Sequence, residues 1–283
     1  LCIVRRSSKE PIIIKSREGI GQGCPMSMGM YGGVLVPLGR MMREAERARL
    51  PARELETEVE EPASTHAIFA DDYCSASRID NQVEVVKDLV RWGPSFVYFP
   101  EPEKSWLVCD PKIEDYARHI FGREGLAIQM THGMRYLGGH IGTESAKAAW
   151  LRPKIKQWAE AVGVLEKIYT RYPQAAYYGL SVSLQQEWQH VCRTVPGTGA
   201  YMAPIEAALQ SFLETMLQAP LDADGERRKL LGQKVKQGGI GLADPTAYAA
   251  TALETSLGGC YLLISALKLG LDVDVEAHQK YVR

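Results

Sequence analysis

The chain has 283 residues, 46% of them hydrophobic and 24% charged, with a formal net charge of −1. That length suits two modest domains, and the composition is globular rather than disordered or collagen-like. The near-neutral balance excludes binding driven by overall positive charge and leaves only a local basic surface for a polyanion. No apolar run reaches the roughly 18 residues of a membrane span, so no membrane partner is expected. The six cysteines (Cys2, Cys24, Cys74, Cys109, Cys192 and Cys260) include no Cys-x-x-Cys pair. They read as reduced thiols of an intracellular protein, cytoplasmic or nuclear, rather than a disulfide framework or a zinc site. The six histidines show no metal-ligand spacing either.

The opening "LCIVRRSSKEP" runs directly into apolar residues, without an initiator methionine or a signal-peptide layout. The chain is therefore expected to be an N-terminally truncated fragment. Residues 12–15 form a short β-rich run. The next stretch is turn-rich in Gly and Pro and then predicts a helix to about Leu50, with Pro25 suited to its first turn. Residues 54–62, "ELETEVEEP", form an acidic connector. Residues 65–69 and 73–77 flank Asp71 and Asp72 as two short strands of a β-hairpin. Residues 79–92 predict an amphipathic helix with Val83, Val86, Leu89 and Val90 on one face.

Further on, residues 96–99 and 106–108 are strand-like, and 126–129 with 134–142 read as another strand pair. From Ala146 the pattern turns helical, and Ile155, Trp158, Val162 and Leu165 recur at the spacing of a buried stripe. The boundary between mixed α+β and all-α composition is expected at residues 142–149. The basic run "ERRKLLGQKVKQ" carries Arg227, Arg228, Lys229, Lys234 and Lys236. A solvated helix face and a set of phosphate contacts explain it equally well.

Taken singly, the candidate residues are ordinary. Asp71 and Asp72 suit a solvated turn, Lys104 a surface, and Gly19 to Gly23 a turn before a helix. Their order is not ordinary. "GIGQGCPMS" (19–27), "FADD" (69–72), "PEPEKSWLV" (100–108) and "YLGGHIG" (136–142) follow one another. This succession resembles the sequential motifs of reverse transcriptases, RNA-directed DNA polymerases of retroelements, most closely the non-LTR retrotransposon kind. Gln22, Gly23, Pro25 and Ser27 match that family's motif before the helix, and Cys24 departs from the polar or acidic residue often found there. Residues 69–72 match the catalytic box, Lys104 the next motif, and Tyr136, Leu137 and Gly138 the primer grip. The later "KQGGIGLADPTAYAATAL" (236–253) is similar to a downstream segment of such proteins.

The resemblance implies an α+β fold: a right-hand polymerase palm, an antiparallel sheet backed by helices, followed by an all-α thumb-like region. Residues 1–145 would be a partial palm and 146–283 the thumb and downstream region. It implies nucleotidyl transfer on an RNA or DNA template with a primer and dNTP, using two Mg²⁺ ions. Asp71 would be a metal ligand, with Asp72 beside it as ligand or support. Lys104 would lie near the triphosphate. Gln22, Gly23, Pro25 and Ser27 would line the nucleotide and template side.

The family also carries a metal-binding aspartate upstream of this first motif. Here no Asp precedes Asp71, and only Glu10 and Glu18 are acidic before Gln22. The two-metal site is thus expected to be incomplete on this chain, and the polypeptide alone inactive. The alternative is a non-catalytic nucleic-acid-binding remnant of a retroelement polymerase.

Overall fold

A computed structural model describes residues 2–4, 12–14, 26–49, 64–69, 72–269 and 271–282. Gln22, Gly23, Pro25, Asp71 and the acidic connector lie outside the described residues. The chain divides into two compact units, Leu1–Pro100 with Leu267–Leu271, and Glu101–Ala266 with Asp272–Arg283. The expected change of composition at 142–149 falls within the second unit. The architecture is α+β: helices accompany four two-stranded sheets among the described residues.

In the first unit, β1 (Cys2–Val4) pairs antiparallel with β2 (Ile12–Ile14). The long helix α1 (Ser27–Arg49) follows. Its core-facing Leu35, Leu38 and Met42 recur at three- and four-residue steps and are fully buried. The expected hairpin forms from β3 (Ser64–Phe69) and β4 (Asp72–Ser77), in register from Ser64↔Ser77 to Phe69↔Asp72. Helix α2 (Ile79–Trp92) has the expected bounds but a rotated inner face. Gln82, Val83, Val85 and Leu89 are buried, whereas Val90 is exposed. The cause is Gln82, whose side chain accepts a hydrogen bond from Ser75 Oγ on β4 at 2.8 Å and so draws a polar residue inward. Leu35, Leu38, Met42, Val85 and Leu89 form this unit's core, with Ile68, Tyr73 and Tyr98 packed around it.

Residues 96–99, expected as a strand, are not one. A 3₁₀ turn covers Gly93–Phe96, and Val97 then takes a left-handed φ of 59°. That conformation is costly for a β-branched residue and incompatible with an extended run.

The second unit opens with a 3₁₀ turn at Pro102–Lys104 and β5 (Trp106–Val108). Helix α3 (Glu114–Arg123) then leads to β6 (Gln129–Thr131), which pairs with β5 in parallel. The pair expected between 126–129 and 134–142 is therefore replaced by two separate arrangements. A parallel pair needs a crossover of a dozen or more residues, and the α3 connection supplies it. The segment after β6 closes on itself as a hairpin of β7 (Gly133–Tyr136) and β8 (Gly139–Gly142).

Helix α4 (Glu144–Tyr169) starts at Thr143, whose hydroxyl accepts from Ala146 N. After it come α5 (Pro173–Tyr178), a π-helical segment (Gly179–Leu184), α6 (Gln185–Thr194) and α7 (Ala203–Leu217). These are followed by α8 (Glu226–Gly232), α9 (Pro245–Gly259), α10 (Tyr261–Leu269) and α11 (Val275–Val282). The expected stripe is core: Ile155, Trp158 and Val162 are buried against Trp188, Leu209 and Phe212, and Leu165 packs at the edge. Among the described residues, no single helix is long and apolar enough to cross a membrane.

Candidate functional site

The hairpin β3–β4 carries the second acid of the Asp pair at the first position of β4. Asp72 is exposed and sits opposite Phe69 in the ladder. Side chains alternate between the faces of a strand, and the register sorts them. Ser64, His66 and Ile68 share the inner face with Tyr73, Ser75 and Ser77, towards α1 and α2. Asp72 belongs to the opposite face with Cys74 and Ala76.

The inner face holds a buried polar cluster that sequence reasoning missed. Glu46 on α1, Ser64 and His66 are 6%, 5% and 4% exposed. Ser64 Oγ donates to Glu46 Oε2 and lies 2.6 Å from His66 Nε2. That nitrogen is 3.2 Å from Glu46 Oε2, and His66 Nδ1 is 2.5 Å from the Tyr73 hydroxyl. Asn81 on α2 donates to Glu46 Oε1 at 2.7 Å. Burial pulls the His66 pKa below its ordinary value and outweighs the upward pull of Glu46. Burial likewise pushes the Tyr73 hydroxyl up, so it stays protonated. The sequence signal for this cluster was Ser64-x-His66, polar residues at the period of a strand and on the face that the apolar Ile68 marks as inner.

Both ring nitrogens of His66 are engaged, but Ser64 and Glu46 meet the same one. A nucleophilic triad needs the serine and the acid on opposite nitrogens. The cluster is therefore not a triad, and its burial denies access to a substrate.

Among the remaining motif residues, Ser27 begins α1. Lys104 ends the 3₁₀ turn before β5, where its ammonium lies 2.5 Å from Glu101 Oε2, both side chains exposed. Such a surface pair is weak and easily exchanged for another anion. Tyr136, Leu137 and Gly138 do form a tight turn. Leu137 and Gly138 have φ of 46° and 81°, the positive pair of a type I′ hairpin. Leu137, within the span 134–142 expected as strand, is instead half exposed at the turn. A β-carbon built on Gly138 would sit 2.9 Å from His190 Nε2, so the turn lies directly on α6. Val195, just beyond α6, packs beside Gly139 and lines an apolar cleft of about 800 Å³ with Leu253 and Tyr261.

A leucine in the left-handed region costs about 1 kcal/mol, and Asn before Gly is the favoured type I′ pair. Leu137→Asn should therefore raise the stability of the second unit by about 0.5–1 kcal/mol in urea denaturation. A loss of stability would show that the exposed leucine makes a contact that outweighs its strain.

The basic run is not one surface. Arg228 is buried, with Nε and Nη2 each 2.7 Å from the carboxylate of Glu206 and Nη1 2.8 Å from Leu242 O. Arg227 pairs with Asp222 and Lys229 with Glu226. Lys234 and Lys236 are exposed. Arg228 is thus neither a solvated residue nor a phosphate contact.

Among the described residues, no three His, Cys, Asp or Glu side chains converge to hold a metal ion. Asp72 is the one described carboxylate of the expected pair. Comparison with protein-family models and with curated proteins found no match.

Proposed function

We propose that the chain is the palm-and-thumb portion of a reverse transcriptase of retroelement type, an RNA-directed DNA polymerase domain that binds primer–template but does not polymerise by itself. The observation that carries this reading is the β3–β4 hairpin, which opens β4 on Asp72 within the Phe69-Ala70-Asp71-Asp72 box. It comes after a long helix that starts at Ser27 and before a tight turn at Leu137–Gly138. Two adjacent carboxylates repel one another, and divalent cations relieve that repulsion. On this reading Asp71 and Asp72 are the chain's contribution to a Mg²⁺ pair, which would supply charge neutralisation during nucleotidyl transfer. Lys104, paired with the exposed Glu101, would exchange that partner for a nucleotide's phosphates. Gln22, Gly23 and Pro25 would face the template and nucleotide, and the Tyr136–Gly138 turn the primer.

Mg²⁺ fills its octahedral shell with carboxylates, water and substrate phosphates, and Asp71 and Asp72 would hold it weakly without the further aspartate that the family carries, since no Asp precedes Asp71. The purified chain, given primer–template, dNTP and Mg²⁺, should show no primer extension. It should bind the same primer–template with an affinity that falls linearly in log–log fashion with salt. No binding at low salt would overturn the nucleic-acid reading. Primer extension abolished by Asp71→Ala would instead show a complete active site and overturn the inactivity.

A further inference from the structure

We propose that Tyr73, His66, Ser64 and Glu46 form a one-way hydrogen-bond relay that latches the β3–β4 hairpin onto α1 and opens when His66 takes up a second proton. The latch stands apart from the polymerase reading, and its test involves neither metal nor nucleic acid.

The direction of the relay follows from counting donors. Glu46 ends it as an acceptor, since Ser64 Oγ donates to its Oε2 and Asn81 Nδ2 to its Oε1. The Ser64 proton is thus committed to Glu46, and only the lone pairs of Oγ remain for the histidine 2.6 Å away. His66 Nε2 must then carry a proton, directed at Ser64 and, at 3.2 Å, at Glu46. A neutral imidazole has one N–H, so Nδ1 is bare and accepts from the Tyr73 hydroxyl at 2.5 Å. Every proton points from β4 through β3 to α1, and each buried group is satisfied.

A second proton on His66 breaks this order. Nδ1–H would face the hydroxyl hydrogen of Tyr73, which must turn away and lose its buried acceptor. The groups facing the ring pull in different directions. Glu46 on α1 attracts the proton, and Arg43 on the same helix repels it. Tyr73 on β4 is held in its neutral form by burial, with Tyr98 at 6.5 Å adding to that effect. Asn81 on α2 carries no charge. Burial dominates, and the folded His66 stays neutral where a free histidine has begun to protonate.

The sign of the pH dependence follows. As pH falls below about 6.5 the unfolded chain takes up the proton first, so the folded state loses ground. The latch is fully effective above that pH. It weakens through the window between about 6.5 and the depressed folded value, by up to tenfold in the folding constant per pH unit.

Nitrogen-15 NMR of the histidine rings of the full chain tests the relay. His66, assigned by comparison with His66→Gln, should show the Nε2–H tautomer and titrate below the ordinary histidine pKa. An Nδ1–H tautomer, or titration at or above the ordinary value, overturns it. Gln at position 66 keeps a donor near Nε2 but cannot titrate. Urea denaturation followed at Ile68 and Leu89 should therefore show a drop between pH 7.5 and 5.5 that is steeper for the parent than for His66→Gln. Equal slopes overturn the latch. Should His66→Gln fail to fold, Tyr73→Phe serves instead. It removes the donor to Nδ1, so the His66 titration must move up, and an unmoved titration again overturns the proposal.

Discussion

Replacing Arg228 with alanine should destabilise the second unit by about 3–5 kcal/mol, the range for breaking a buried ion pair from one side. The arginine joins α8 to α7 through two charge-assisted bonds of 2.7 Å to Glu206, and its third contact, at 2.8 Å to Leu242 O, holds the segment before α9. Without it Glu206 is left as a buried carboxylate that keeps the amide of Gln210, on its own helix at 3.0 Å, and no cation. The size of the loss comes from that orphaned charge and not from the net worth of the pair. A double replacement, Arg228→Met with Glu206→Leu, should therefore recover most of the stability lost in the single variant. Lys229→Ala, one position along, removes an exposed contact to Glu226 and should leave the urea midpoint unmoved. Fluorescence of the buried Trp158 and Trp188 reports on this unit. An Arg228→Ala midpoint equal to that of Lys229→Ala would sink the argument.

The contrast between neighbours 228 and 229 shows where the sequence runs out of information. Both are cations in one run, and nothing local separates them. Arg228 is set apart by Glu206, 22 residues earlier in the chain, and by a carbonyl 14 residues later. Elements whose signal is local were legible. Helix α2 keeps the bounds its apolar period predicts though not the inner face, while the hairpin at 64–77 follows its alternation and the α4 stripe its three- and four-residue steps. Elements set by partners at a distance were not. The β5–β6 pairing depends on a crossover rather than on either strand's composition. Val97 has no turn residue to announce its positive φ, and Leu137 shows only the Gly half of a type I′ signal. The motif order that points to a polymerase is of yet another kind, since it rests on resemblance and not on periodicity. The hairpin was expected from both directions. The polar cluster behind it came from neither, because Ser64-x-His66 marks polar residues on the inner face but not their partner Glu46, which lies 20 residues before His66 on α1.

Gly142→Ala should cost the second unit at least about 2–3 kcal/mol, more than a glycine substitution usually costs. Its φ of 133° lies where side-chain-bearing residues rarely go. A β-carbon there would also sit 2.3 Å from His132 O and 2.3 Å from Gly133 Cα. Both are main-chain atoms, so no rotamer change relieves the contact. The carbonyl is fixed further by Thr143, whose N–H donates to His132 O at 2.8 Å and whose hydroxyl caps α4. Making room at Gly142 therefore means shifting the start of α4 or opening the β7–β8 ladder. Gly125 is the control, with a φ of 70° and open space for 4 Å around the position a β-carbon would take. Alanine there meets only the backbone preference, about 1 kcal/mol. The difference between the two variants in urea isolates the steric part. Equal losses would mean that the hairpin base yields freely, and the turn at Leu137–Gly138 would then lack the rigid footing that the close approach at Gly142 gives it.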